Sequence, residues 1–400
     1  MPNATREAPE LDLDLFTDAS LRDPFKDYKA IRDAGPAVRL RRPEVYAIGR
    51  FADVQAALRA PEQLISGQGV GFNDIFNAPR GMNVIQSDGA LHDRLRATVM
   101  RPLAPHKLRE ARGDLKRLMA GRVAALVGTG SFNAMKGLAA FLPVQAVSHL
   151  VGLPEVGRER MLDWAAATFN IIGPDQDRAD LVVLAEARTF LTGLSADTVR
   201  SGSWAAHLFT AVDSGRLSMV EAMASISAYV IPSLDSTILA KGHLLRDFAS
   251  HPEQWATLRM NPEKIPSAVL EGVRRNAVIR WFARVAADDY NVDGVVIPRG
   301  ARVMLMYGCA NRDERHYPDP DRFDIERDAR DQLCWGTGPH MCAGMYLARL
   351  EMEVMLEALL EADASLMVAG TPVMGTNRGL FGYEDLPLRI DRAGEGERIV

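Results

Sequence analysis

The stretch Trp335-Gly336-Thr337-Gly338-Pro339-His340-Met341-Cys342-Ala343-Gly344 constrains this chain more than any other. Its glycines and proline exclude a regular strand or helix, while the residues from Met345 to Glu353 repeat apolar side chains at helical spacing. Cys342 is therefore expected where a loop turns into a helix. Free backbone N–H groups and the positive end of the helix dipole lower a thiol pKa at such a place, and an ionised sulfur is a strong ligand for iron. A lone cysteine is otherwise most often a small buried hydrophobe. The flanking residues decide between the two.

At 400 residues, 47% hydrophobic and 25% charged, the chain has ample material for a large core. Its 47 basic and 52 acidic residues leave a net charge of −5, which excludes an overall basic field for nucleic acid but not a local basic docking patch. The first fifteen residues are polar and acidic, and no run reaches the ~18 uncharged apolar residues of a membrane span. A soluble protein is expected, with residues 1–19 a flexible leader, 20–392 a single domain and 393–400 a flexible tail. Cys309, Cys334 and Cys342 form an odd set with no framework spacing, which points to a reduced cytoplasmic compartment.

Several segments add to this. The glycine-rich run from Gln63 to Met82 carries Phe72, Ile75 and Phe76, as a lid over a pocket would. His92 and Arg96 stand four apart, on one helical face. Helical spacing predicts helices over 111–126, 141–167 and 179–201, with a break at Phe169–Asp175, and Ala37 to Ile48 alternates as strands do. Ser218 to His251 reads as one long helix, apolar on nearly every side, kinked at Pro232, with Ser233, Asp235 and Ser236 gathering polar groups there. Those serines either face a small void with water or bond back to their own carbonyls. Asn291 to Tyr307 reads as two strands joined at Pro298–Gly300.

The loop before Cys342 has the form aromatic-Gly-x-Gly-x-His-x-Cys-x-Gly and resembles the haem-binding signature of the cytochromes P450, with Trp335, Gly336, Gly338, His340, Cys342 and Gly344 at the matching positions. Trp335 stands where the family usually has Phe, and an indole N–H beside the sulfur would raise the haem potential. Asp88 to Arg96 resembles the family's D-x-x-x-H-x-x-x-R element. Pro232 to Thr237 resembles its oxygen-binding groove, with Ser236 in place of the first threonine. Glu271-x-x-Arg274, with Arg322 of the Pro-Asp-Arg-Phe run, resembles its buried Glu-Arg-Arg network, structural rather than catalytic. The matched elements span about residues 20 to 390.

The resemblance implies a mostly α P450 fold with a minor β-rich lobe, and a haem-thiolate monooxygenase. The cofactor would be haem b, iron protoporphyrin IX, ligated by Cys342, with His92, Arg96, Arg284 and His340 holding its propionates. Asp235 and Ser236 would relay protons, with Thr237 assisting. The pocket wall would comprise Gln68, Phe72, Phe169, Ile172, Ala228, Ile231, Ile279 and Phe381, although core packing is an equal reading of Phe169 and Ile172. Arg280 is either a cation near the pocket or a surface residue. The lid and the Ala310–Asp313 run resemble bacterial P450s that hydroxylate or O-demethylate small aromatic acids; Gln68 stands where those carry an arginine, so a neutral aromatic or terpenoid fits as well. Electrons would come from a separate ferredoxin and its NAD(P)H-dependent reductase, docking near Arg101, Lys107, Arg109, Arg112 and Arg349. A monomer without nucleic-acid or membrane partners is expected. A peroxide-driven or non-oxygenating P450, or a haem protein without turnover, stands as the alternative.

Overall fold

In the computed structural model, which describes residues 6–393 except 79, 157 and 176, the helix Met219–Ser250 passes through the middle of the molecule. Ser218 and Glu221 form a reciprocal capping box that fixes where it starts. Ile226, Val230, Leu234, Leu245 and Phe248 are buried along it. Helices Phe141–Val151, Met161–Asn170, Trp204–Asp213 and Ile265–Arg275 pack around it, and helix Met345–Glu361 lies along Pro105–Ala124. It is the one helix among the described residues long and apolar enough to cross a membrane, and 50% of its most apolar window is buried inside the protein.

The β-rich part is a six-stranded sheet in the order Glu10–Asp14, Val38–Arg42, Glu44–Ile48, Arg302–Leu305, Phe282–Ala286, Leu64–Ile65. The first and third pairings are parallel and the others antiparallel. Alternation sends Val38, Leu40, Val45 and Ala47 into the core with Ile31, Trp281 and Met304. A three-stranded sheet of Ala364–Val368, Pro387–Arg392 and Ser131–Asn133 closes the helical side.

Several sequence expectations change here. The leader is not flexible through residue 19: Arg6 bridges to Val295, Glu10–Asp14 is an edge strand, and Thr17 caps the helix Asp18–Arg22. Its acidic residues are the reason, since Glu10 pairs with Arg39 and Arg41, and Asp12 with Arg42, on the neighbouring strand. Most of the expected tail, 394–400, lies outside the described residues. The predicted 141–167 helix is two, interrupted where Gly152 adopts φ 81° ahead of Pro154, and the 179–201 helix stops at Thr192. Trp204–Asp213 is a helix that periodicity did not reveal. Finally, the hairpin turns at Asp293-Gly294, both at positive φ, while Arg302–Leu305 joins the large sheet. Met219–Ser250 runs unbroken through Pro232.

Candidate active site

Gly336 and Gly338 have φ of 67° and 73°, a region a side chain resists, and a Cβ at Gly338 would come 2.6 Å from the Leu58 carbonyl oxygen. The loop closes through Cys342 N–H donating to the Trp335 carbonyl at 2.8 Å, and the helix Met345–Glu361 follows. The Gly344 and Met345 N–H groups lie near the Cys342 sulfur and favour its ionised form, as at a helix start. Burial nonetheless outweighs them and Arg96, so the free thiol is pushed above its ordinary pKa, opposite to the sequence expectation. A bound metal cation would reverse this and hold the sulfur as a thiolate. Though set deep in the protein, Cys342 presents an open surface, and a Cβ on Gly344 would meet nothing nearer than that sulfur at 4.0 Å.

Beside the sulfur, four cationic or donor side chains converge. His92 is buried on Gly89–Val99; its Nδ1 lies 3.0 Å from Asp93, and its Nε2 has no partner. The His340 ring lies 4.4 Å from it, also buried, with Nε2 3.7 Å from Asp88 and Nδ1 unpartnered. Burial holds His340 below the usual histidine pKa, so one of its nitrogens carries no proton at neutral pH. Arg96 reaches the Met341 carbonyl at 2.7 Å, and buried Arg284 bonds the Ala283 carbonyl at 2.7 Å and the Tyr307 hydroxyl. Sequence reasoning gave Asp88 no role, yet its carboxylate accepts from Ser66 and Gly67 N–H and steadies His340. Its place at the head of the Asp88–Arg96 element, directly ahead of a helix, was the signal.

On the central helix, Ser236 Oγ donates to the Pro232 carbonyl at 2.6 Å, so the back-bonding alternative holds for this serine. Pro232 has no N–H, which leaves the Ala228 carbonyl without its donor one turn on. Thr237 is buried, Ser233 half-buried. Asp235 faces another way, into a cleft of about 390 Å³ shared with Lys136, Gln145, Phe141 and Tyr383. Burial, with Asp163 nearby, pushes its carboxyl up to about 7.

The lid is not a loose loop. Asn77 accepts from Val70 and Gly71 N–H, Phe72 N–H donates to the Ile172 carbonyl at 2.9 Å, and Asn73 bonds the Ile171 and Gly173 carbonyls. Phe72 therefore turns inward, 4.8 Å from Trp281, while Gln68 is exposed. Phe169, Ile172, Ile231 and Phe381 are buried, and Ala228 and Ile279 half-buried. Arg280 is neither a surface residue nor free for a ligand: it bonds the Leu380 and Leu21 carbonyls and stacks on Phe381.

The buried ion network joins Glu271 and Arg274 at 2.6 Å, but its third member is Arg327, 3.4 Å from Glu271. Arg322 points outward, its side chain 65% exposed and paired with Asp324, because residue 322 sits on the outer side of the turn whose backbone carbonyls Arg274 binds. On the expected docking face, Arg112 and Arg349 are paired with Glu353, and Arg112 also with Glu357, while Arg101 and Arg109 are exposed.

Haem carries two carboxylates and an iron that takes an axial ligand. Two orphaned imidazole nitrogens, two arginines spending only backbone or hydroxyl bonds, and an open sulfur suit those groups. Comparison with known proteins agrees. The family model for cytochrome P450 matches residues 266–363. Cytochrome P450 CYP199A2 of Rhodopseudomonas palustris is 30% identical over 393 residues, 96% of this chain and 95% of its own length. The cytochrome P450 monooxygenase PikC of Streptomyces venezuelae is 29% identical over 98% of this chain and 97% of its own. In fold, the structure of epothilone D-bound cytochrome P450epoK matches with a TM-score of 0.85 at 24% identity, over 96% of this chain and 100% of that one. The chain belongs to the cytochrome P450 family, and is a haem-dependent oxidoreductase of the P450 fold.

Proposed function

We propose that the protein is a cytoplasmic, monomeric monooxygenase that inserts one oxygen atom of O2 into a small hydrophobic substrate, by hydroxylation or O-demethylation of an aromatic compound. The observation that carries this reading is the open Cys342 sulfur beside the unpartnered His92 Nε2 and His340 Nδ1. Haem b, ligated by that sulfur, supplies the O2-activating chemistry. His92, His340, Arg96 and Arg284 hold its two carboxylates, and Trp335, half-buried against the core, screens the sulfur.

Asp235 holds a proton about as often as not near neutral pH and stands where the cleft with Lys136 and Gln145 can resupply it. Ser236 Oγ–H must turn away from the Pro232 carbonyl to pass a proton inward, and the neighbouring Thr237 hydroxyl assists. Phe72, Phe169, Ile231, Ile279 and Phe381 present apolar surface to the substrate, while Ile172, fully buried, packs in the core. With Gln68 in the lid and Arg280 already satisfied, a neutral aromatic suits the pocket better than an acid. Electrons arrive from a separate ferredoxin and its NAD(P)H-dependent reductase, docking at the exposed Arg101, Lys107 and Arg109.

One observation favours a rival: a serine hydroxyl already engaged by Pro232 suits a peroxide-driven P450, which needs no proton relay for O2. Product formation with O2, ferredoxin, reductase and NAD(P)H, set against H2O2 alone, tests the proposal. Faster turnover with peroxide would replace it, and no product from either system across a broad substrate panel would leave a haem protein without turnover.

A further inference from the structure

The helix predicted to be apolar on nearly every side carries a lysine at its centre. Lys241 and Glu351 are 0% and 1% exposed, and Lys241 Nζ donates to Glu351 Oε2 at 2.7 Å. Neither side chain makes another hydrogen bond among the described residues. Lys241 lies one turn beyond Thr237 on Met219–Ser250, and Glu351 nine residues beyond Cys342 on Met345–Glu361. The pair thus ties the helix bearing Asp235 and Ser236 to the helix that starts at the sulfur.

Stability does not account for it. Taking both charges out of water costs more than one hydrogen bond between them returns, and well-packed apolar side chains of similar volume would hold the helices together at least as well. What an ion pair adds is a fixed length and direction. The other charged ties of the cysteine helix, Glu353 and Glu357 to Arg112 and Glu361 to Lys116, face outward onto Pro105–Ala124 and reach part-exposed side chains. They tie it to Pro105–Ala124 and not to the central helix. Lys241–Glu351 is its buried charged tie to the central helix.

We propose that Lys241 and Glu351 form a strut that sets the height of the cysteine helix, making them positioning residues for the Cys342 sulfur. A helix is stiff over the roughly 9 Å of rise between Met345 and Glu351, so a displacement at Glu351 reaches the helix start at Gly344 and Met345, which follows Cys342 directly. The strut rests on the reading of Cys342 as the haem ligand.

The holoprotein tests both. The reduced carbon monoxide complex, the haem midpoint potential and the unfolding temperature are measured for wild type, Glu351→Asp and the double variant Lys241→Met/Glu351→Met. Glu351→Asp keeps both charges but shortens the strut by one methylene, and the double variant removes the charges at similar volume. The expected result is that both lose more than half of the thiolate-type carbon monoxide band and shift in potential, while the double variant unfolds no lower than wild type. A double variant with the wild-type band and potential overturns the strut, whatever happens to its unfolding temperature. A wild-type holoprotein with no thiolate-type band overturns the Cys342 reading and the strut together.

Discussion

The cysteine side and the central helix are built by different means. Around Cys342 the backbone does the work: two glycines at positive φ, a loop closed on Trp335, and N–H groups turned to the sulfur. On the central helix the side chains do it, with Ser236 spent on the Pro232 carbonyl and Asp235 turned into a separate cleft. A site fixed by backbone tolerates little change, whereas one made of side chains on a continuous helix can be retuned residue by residue. The two halves should therefore respond differently to substitution.

The largest effect belongs to the scaffold beneath the cysteine. Arg274→Met removes the 2.6 Å partner of buried Glu271, leaving it only Arg327 at 3.4 Å, and should cost about 3–5 kcal/mol, read by chemical unfolding. Arg322→Ala should leave the unfolding midpoint where it was, since its side chain stands in solvent. Equal losses from both would restore Arg322 to the network.

Next comes the acid on the central helix. Asp235→Asn should lower product formation with the ferredoxin system about 100-fold, with haem content unchanged. Its pH signature has a definite sign. Burial raises Asp235 to about 7, so between its unfolded pKa near 3.9 and that value the folded state binds more protons. Wild type should lose stability as pH rises through that window, and Asp235→Asn should not; parallel urea-unfolding curves for the two proteins would show that the carboxyl is not desolvated.

His92→Ala and His340→Ala should each hasten haem transfer to an apo-globin acceptor about tenfold, because each removes an imidazole whose free nitrogen has no other partner. Unchanged release would mean those nitrogens face something other than a carboxylate. The smallest effect is expected from Ser236→Ala: a few-fold less product per NAD(P)H consumed and more peroxide released, with the fold untouched. A variant coupled as well as wild type would confine the Ser236 hydroxyl to its carbonyl.

The same division governed what could be read from the chain. The cysteine loop, the His92–Arg96 spacing and the long helix are local patterns, and all three hold in the structure. What escaped depended on distant partners. Glu10 and Asp12 look like a solvated leader until Arg39, Arg41 and Arg42 arrive beside them. Arg327 and Arg322 are indistinguishable in one dimension, and only the turn at 318–327 sends one inward. Asn73 and Asn77 read as turn formers, yet they pin the lid to residues 71 and 171–173. Lys241 hid in an apolar helix because its counter-charge lies 110 residues away.

The most direct measurement is the absorption spectrum of the reduced, carbon monoxide-bound protein, taken for wild type and Cys342→Ser. Wild type should show the band of thiolate-ligated haem, and the variant should lose it while keeping its fold by circular dichroism. The same band in both proteins, or a folded wild type that purifies without haem from haem-sufficient cells, would contradict the assignment of Cys342 as the iron ligand.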